Sequence, residues 1–367
     1  MSDPQPQAPS RLLDGRIETH GTLYSLQLLR FIAAAFVVLS HVRLEFKLEA
    51  FGYFGVDIFF AISGFIIYHV TRGNTKHFLT KRLIRIVPLY WTGTLALTAI
   101  ALLAPHILNN GQTASAARIF TSLFFIPYWT AAHDFQPLLS FGWTLNYEML
   151  FYFLFYVAML VSHRHRFLVC SSFLSALAIS QWVAIPNSAH AFWSGTIIIE
   201  FIYGMGIAVL VERTRFLSLA RTPLLLAAAA MGMYCYLLFP STGFLDADSV
   251  RVVMIGIPSM LLVLLILSCE LSIRKLPARV TRSISFLGDL SFATYIFHAY
   301  VMALLKRVIG QDMNIYSYAV IVLVCTSLVA MAIFFMVEKP SRTYLTSRLA
   351  GRTPVSLQPH PVPVAPG

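Results

Sequence analysis

Five ionisable side chains interrupt stretches that are otherwise apolar, and their types suit proton transfer. Arg30 and His41 share one run, while Asp57, Glu148 and Glu200 each sit in a run of their own. At 100° per residue, the eleven steps from Arg30 to His41 come within about 20° of a whole number of turns. On a helix the two side chains therefore share a face, roughly 16 Å apart along the axis. A carboxylate facing hydrocarbon is expensive, so the three acids are expected to face inward, with His41 their obvious partner. A histidine held by a carboxylate has its tautomer fixed and its imidazolium stabilised, which is what a general base for a hydroxyl group needs. Other readings of the same residues stay open. His41 could be an interfacial helix-end residue, Arg30 could snorkel to the cytoplasmic surface, and Asp57 and Glu148 could pair with each other. Glu200, His298 and Glu338 read as packing or boundary residues.

Arg82 and Arg85 lie three residues apart, on one helix face. They fit a positively charged cytoplasmic loop or a contact with anionic lipid. Their sharper reading is a clamp for the phosphates of a cytosolic donor, because a planar guanidinium binds phosphate bidentately, although loop position alone favours the former. The four cysteines, Cys170, Cys235, Cys269 and Cys325, stand far apart with no CxxC or Cys/His spacing. Neither a disulfide framework nor a metal site is expected.

The elements that must position these residues are transmembrane helices. Hydrophobic residues make up 57% of the 367 and charged residues only 12%, against about a quarter in soluble domains. The mean hydropathy is +0.72. A net charge of +11 would point to nucleic acid in a soluble protein; here it reads as basic cytoplasmic loops. Ten runs are long enough to span: 24–42, 52–70, 87–105, 143–161, 167–185, 195–211, 222–240, 252–269, 288–305 and 317–337. With that assignment 20 of the 27 lysines and arginines fall on the tails and alternate loops, which places both termini in the cytoplasm. The apolar segment Ile119–Trp129 is too short to cross and reads as interfacial or re-entrant. The expected architecture is thus an all-α integral membrane protein. A cytoplasmic tail (1–23) precedes a membrane unit (24–337), and a proline-rich cytoplasmic tail (338–367) follows. The first run follows a polar, proline-containing stretch and no small-residue cleavage site comes after it, so it reads as a span and not a signal peptide. No internal repeat stands out, which weakens the rival reading, a transporter or flippase of a glycan or lipid intermediate.

Several stretches, in order, resemble the membrane-bound acyltransferase family 3. They are SLQLLRFIAAAFVVLSH, with Arg30 and His41; GYFGVDIFFAISGFII, with Asp57; RLIR, from Arg82 to Arg85; FGWTLNYEMLFYF, with Glu148; and GDLSFATYIFHAYV followed by VEKPSR. The resemblance covers roughly residues 22 to 345. It implies transfer of an acyl group, commonly acetyl from cytosolic acetyl-CoA, to carbohydrate hydroxyls at the outer side of the bacterial inner membrane, with no permanently bound cofactor. Carried over, His41 is the catalytic histidine, acting as base or acyl carrier, Arg30 its paired motif residue, and Arg82 and Arg85 the acyl-CoA contacts. Asp57 and Glu148 are the acids of their motifs. The opening stretch and GWTLNYEM look most like the exopolysaccharide-modifying branch. Many relatives carry a fused extracytoplasmic hydrolase-like domain; none is visible here, so the membrane unit is expected to work alone or with a separate partner. Phe292 stands where relatives often have tyrosine, and their later tryptophan and proline are missing, which counts against a role for His298.

Overall fold

The structure, a computed structural model, describes residues 12–13, 16–17, 21–42, 49–73, 75–104, 115–129, 135–186, 188–214, 251–309 and 313–350, with 227 and 232. Apart from a two-residue antiparallel pairing of Leu12–Leu13 with Arg16–Ile17, the regular structure is helical. In chain order the helices are α1 (Tyr24–His41), α2 (Glu49–Val70), α3 (Phe78–Leu103), α4 (Ala116–Leu123), α5 (Trp143–Val161), α6 (Arg166–Ile179), α7 (Ala189–Trp193) and α8 (Ile199–Arg213). They continue with α9 (Ile257–Ser268), α10 (Glu270–Arg274), α11 (Ala278–Ile309), α12 (Ile315–Ile333) and α13 (Lys339–Ala350).

Seven stretches are long and apolar enough to cross a membrane: Tyr24–His41, Phe78–Leu103, Ser140–Val161, Arg166–Val183, Val252–Arg274, Ala278–Ile309 and Ile315–Leu349. The expected spans at 52–70 and 195–211 correspond to α2 and to α8, which a 3-10 turn (Thr196–Ile198) precedes. The span expected at 222–240 lies outside the described residues. Several helices run past the hydrophobic edges: α3 starts at Phe78, not 87, and α11 at Ala278, not 288. Hydropathy marks the thickness of hydrocarbon, whereas the backbone keeps its hydrogen bonds through the charged turn beyond it. For the same reason the chain stays helical across residue 338, through a π-turn (Phe334–Glu338) into α13. Ile119–Trp129 does not cross: it holds the end of the eight-residue α4, a turn at Phe125 and a single bridge from Trp129 to Phe135.

Small residues let the central helices approach closely, as membrane packing requires where burial from water gives no driving force. A Cβ on Gly204 of α8 would lie 2.0 Å from the Ala61 carbonyl oxygen of α2, and one on Gly288 of α11 2.7 Å from that of Gln27 on α1. Contacts set the helix directions. Gln27 meets Asp289 at one end and His41 meets His298 at the other, so α1 and α11 run parallel. Phe60 stacks on Phe201, and Arg72 pairs with Glu212 at 3.1 Å, so α2 and α8 are parallel as well. Glu200 and Gly256 adjoin, which starts α9 at the same end as α8. The start of α1 is capped from afar: Glu270 accepts from the Tyr24 and Ser25 amides at 3.3 and 2.8 Å and pairs with Arg274 at 2.7 Å. A carboxylate there satisfies helix-end donors and favours the positive end of the dipole.

Candidate active site

One cavity of about 70 Å³ inside the bundle gathers four of the six residues singled out by the sequence: Arg30, Arg82, Arg85 and Glu148. Arg30 comes from α1 and is 8% exposed. Its guanidinium donates to Gln27 Oε1 at 2.9 Å, and the Gln27 amide donates to Asp289 of α11 at 3.1 Å. That chain holds the arginine inside the bundle, so it does not snorkel to the surface. Arg82 and Arg85, in the first turns of α3, reach the same space, as their spacing of three allows. Among the described residues neither makes a salt bridge. Glu148 projects from α5; its Oε1 accepts from the Ser63 hydroxyl of α2 at 2.7 Å and from the Tyr152 hydroxyl one turn on. Three guanidinium groups and one carboxylate line the cavity, while Asp289 and Glu338 act on Arg30 from outside the lining. The remaining wall is largely apolar, with Val56, Phe59 and Phe60 among the lining residues. Such a site attracts an anion, phosphate above all, and lets apolar chain follow it inward.

Thr144 and Tyr295 also line the cavity. The Tyr295 hydroxyl donates to the Phe141 carbonyl at 2.9 Å and lies 2.8 Å from the Thr144 hydroxyl, which ties α11 to the start of α5. Gly142 makes room there, since a Cβ would lie 2.7 Å from the Tyr90 ring. Beyond that tie lie two histidines. The His41 ring is 4.8 Å from Phe141 and 5.2 Å from His298, and Phe141 and His298 are 4.3 Å apart. His41 is exposed at the end of α1, whereas His298 is buried in α11. His41 Nδ1 lies 2.7 Å from the Val37 carbonyl oxygen. A carbonyl only accepts, so Nδ1 carries the ring hydrogen and Nε2 keeps the basic lone pair.

The structure does not bring Asp57 or Glu148 to His41, and the Val37 carbonyl orients the imidazole in place of a carboxylate. Asp57, 0% exposed, pairs with Arg251 at 2.5 Å. Glu200, 1% exposed, stands beside them. This cluster joins α2, α8 and the residue ahead of the π-turn (Val252–Gly256) that leads into α9, and none of its three members lines the cavity. Sequence reasoning missed Arg251, which counts as a loop residue, and the hydroxyls of Ser63, Tyr152 and Tyr295. Arg251, Ser63 and Tyr295 carry no local signal, because their partners come from other helices, whereas Tyr152 lies one turn from Glu148 in α5.

Comparison with known proteins adds two findings. The family profile described as an acyltransferase domain matches residues 23–336. The chain is also 30% identical, over 316 residues, to the exopolysaccharide production protein ExoZ of Rhizobium meliloti (strain 1021), covering 81% of this chain and 93% of that one. No solved structure matches the chain.

Proposed function

The chain belongs to the acyltransferase domain family, and on that premise we propose that it moves an acetyl group from cytosolic acetyl-CoA to a hydroxyl of an exopolysaccharide or its lipid-linked precursor. The similarity to an exopolysaccharide production protein supports the acceptor class. The observation that carries the donor is the convergence of Arg30, Arg82 and Arg85 on one cavity. Coenzyme A is a polyphosphate with a slender, largely neutral arm. In this reading its phosphates rest on Arg82 and Arg85 at the mouth, and the arm carries the thioester past Arg30 towards the Tyr295 layer. His41 Nε2 then acts in one of two ways. It takes the proton of the acceptor hydroxyl as that oxygen attacks the acyl carbon, the C–S bond breaks and the thiolate leaves with a proton. Otherwise it first carries the acyl group itself. The family match favours acyl transfer over the transporter or flippase reading.

The membrane arrangement belongs to the same proposal: ten crossings of the bacterial inner membrane, with both termini cytoplasmic. Two facts support it. Arg72, Arg82, Arg85, Arg166, Arg213 and Arg274 lie at the bundle end where α1 starts, the sign expected of a cytoplasmic face. And α8 and α9 start at the same end of the bundle, which is in keeping with the span expected at 222–240 between them. Donor and acceptor then approach from opposite faces. The test is His41→Ala in cells: polymer O-acetylation is lost while the protein accumulates normally, and acetylation that persisted would refute the histidine assignment.

A further inference from the structure

We infer that His298 is a positioning residue of the acyl-transfer centre, whose Nε2 lone pair stabilises the positive charge that develops on His41. The inference rests on the reading of His41 given above and deepens it. His298 is 0% exposed, and its Nε2 meets no hydrogen-bond partner among the described residues. A buried polar atom without a partner costs stability, a cost that falls away if a partner arrives during the reaction. Its Nδ1 lies 2.6 Å from the Tyr295 carbonyl oxygen, so Nδ1 carries the hydrogen and Nε2 is left as a pure acceptor.

The ring neighbours of His298 among the described residues are His41, Phe141 and Tyr295. Of these only His41 gains positive charge in acyl transfer. Its ring adjoins that of His298, with the centroids 5.2 Å apart and the planes tilted by 55°. At rest both imidazoles hold their hydrogen on Nδ1, against the Val37 and Tyr295 carbonyls, and neither offers the other a donor. That changes when the acceptor oxygen bonds to the acyl carbon and its proton moves to His41 Nε2. The new imidazolium then faces the lone pair of His298 until the departing thiolate takes the proton. An acyl-imidazolium on His41 carries the same charge and meets the same lone pair, so the role holds for either route. A fixed dipole aimed at developing charge lowers a barrier because it needs no reorganisation at the moment of reaction.

The test compares variants of the full chain, purified in lipid nanodiscs, with acetyl-CoA and a polysaccharide acceptor. His298→Gln keeps a carbonyl acceptor, while His298→Phe fills the space without one. We expect kcat to fall about 100-fold in the Phe variant with both KM values nearly unchanged, and only about tenfold in the Gln variant. A packing role predicts the reverse order, because phenylalanine suits a buried apolar site better than glutamine. His298→Leu repeats the comparison if the Phe variant does not accumulate. The inference is overturned if an apolar variant keeps near wild-type kcat, if Gln is no better than Phe, or if only the Gln variant folds. His41→Ala runs alongside: activity in that variant would instead sink the reading of His41 itself.

Discussion

At the scale of single residues, the site is decided by which partner each charge finds. Arg30, Arg82 and Arg85 share one cavity with a single carboxylate that Ser63 and Tyr152 already hold. Within the lining, cations therefore outnumber acids three to one. Arg85→Lys tests whether their ligand is a phosphate held bidentately. The charge is kept but the planar fork is lost, so KM for acetyl-CoA should rise about tenfold, equivalent to about 1.4 kcal/mol, with kcat little changed. An unchanged KM in steady-state kinetics would remove Arg85 from the donor site. The arginine pair was legible in the sequence because a spacing of three survives folding on any helix. The orientation of His41 was not legible: a carboxylate partner looked obvious, yet a carbonyl four residues back in the same helix supplies the contact.

At the scale of helices, long-range pairs fix what periodicity leaves free. The sequence shows that Asp57 must face inward, and it does, at 0% exposure. It does not show against what, because Arg251 is 194 positions away and sits where hydropathy places a loop. The pair locks α2 to the start of α9, with Glu200 of α8 alongside. Arg251→Met would leave two buried carboxyl groups without their cation, and breaking a buried pair in this way typically costs about 3–5 kcal/mol. Thermal unfolding in detergent should show a clear loss for Arg251→Met and recovery of most of it when Asp57→Asn is added. Equal stability of Arg251→Met and wild type would show that the pair does not hold these helices. The glycines at the α2–α8 crossing act by a different physics, through absence of volume, which no pattern of hydrophobicity reports.

At the scale of the molecule, the account is one of sidedness. Composition alone made the chain a membrane protein, and run lengths anticipated the seven long apolar stretches. What runs of hydropathy could not give is how the helices neighbour one another: α1 against α11 brings His298 to His41, although their motifs are more than 250 residues apart. The arginine cavity lies towards the basic end of the bundle and the histidine pair towards the other, with the Tyr295–Phe141 tie between them. If the basic end is cytoplasmic, a fluorescent protein fused at the C-terminus will glow and alkaline phosphatase at the same point will be inactive. The opposite pattern would invert the topology and with it the route of the donor. The central claim is that this bundle consumes acetyl-CoA to modify a glycan. It is tested most directly by measuring free thiol released from acetyl-CoA by the purified protein, with and without exopolysaccharide acceptor. Acceptor-dependent release matched by acetyl ester on the polymer is the predicted result; no release with a folded protein and acceptor present would contradict it.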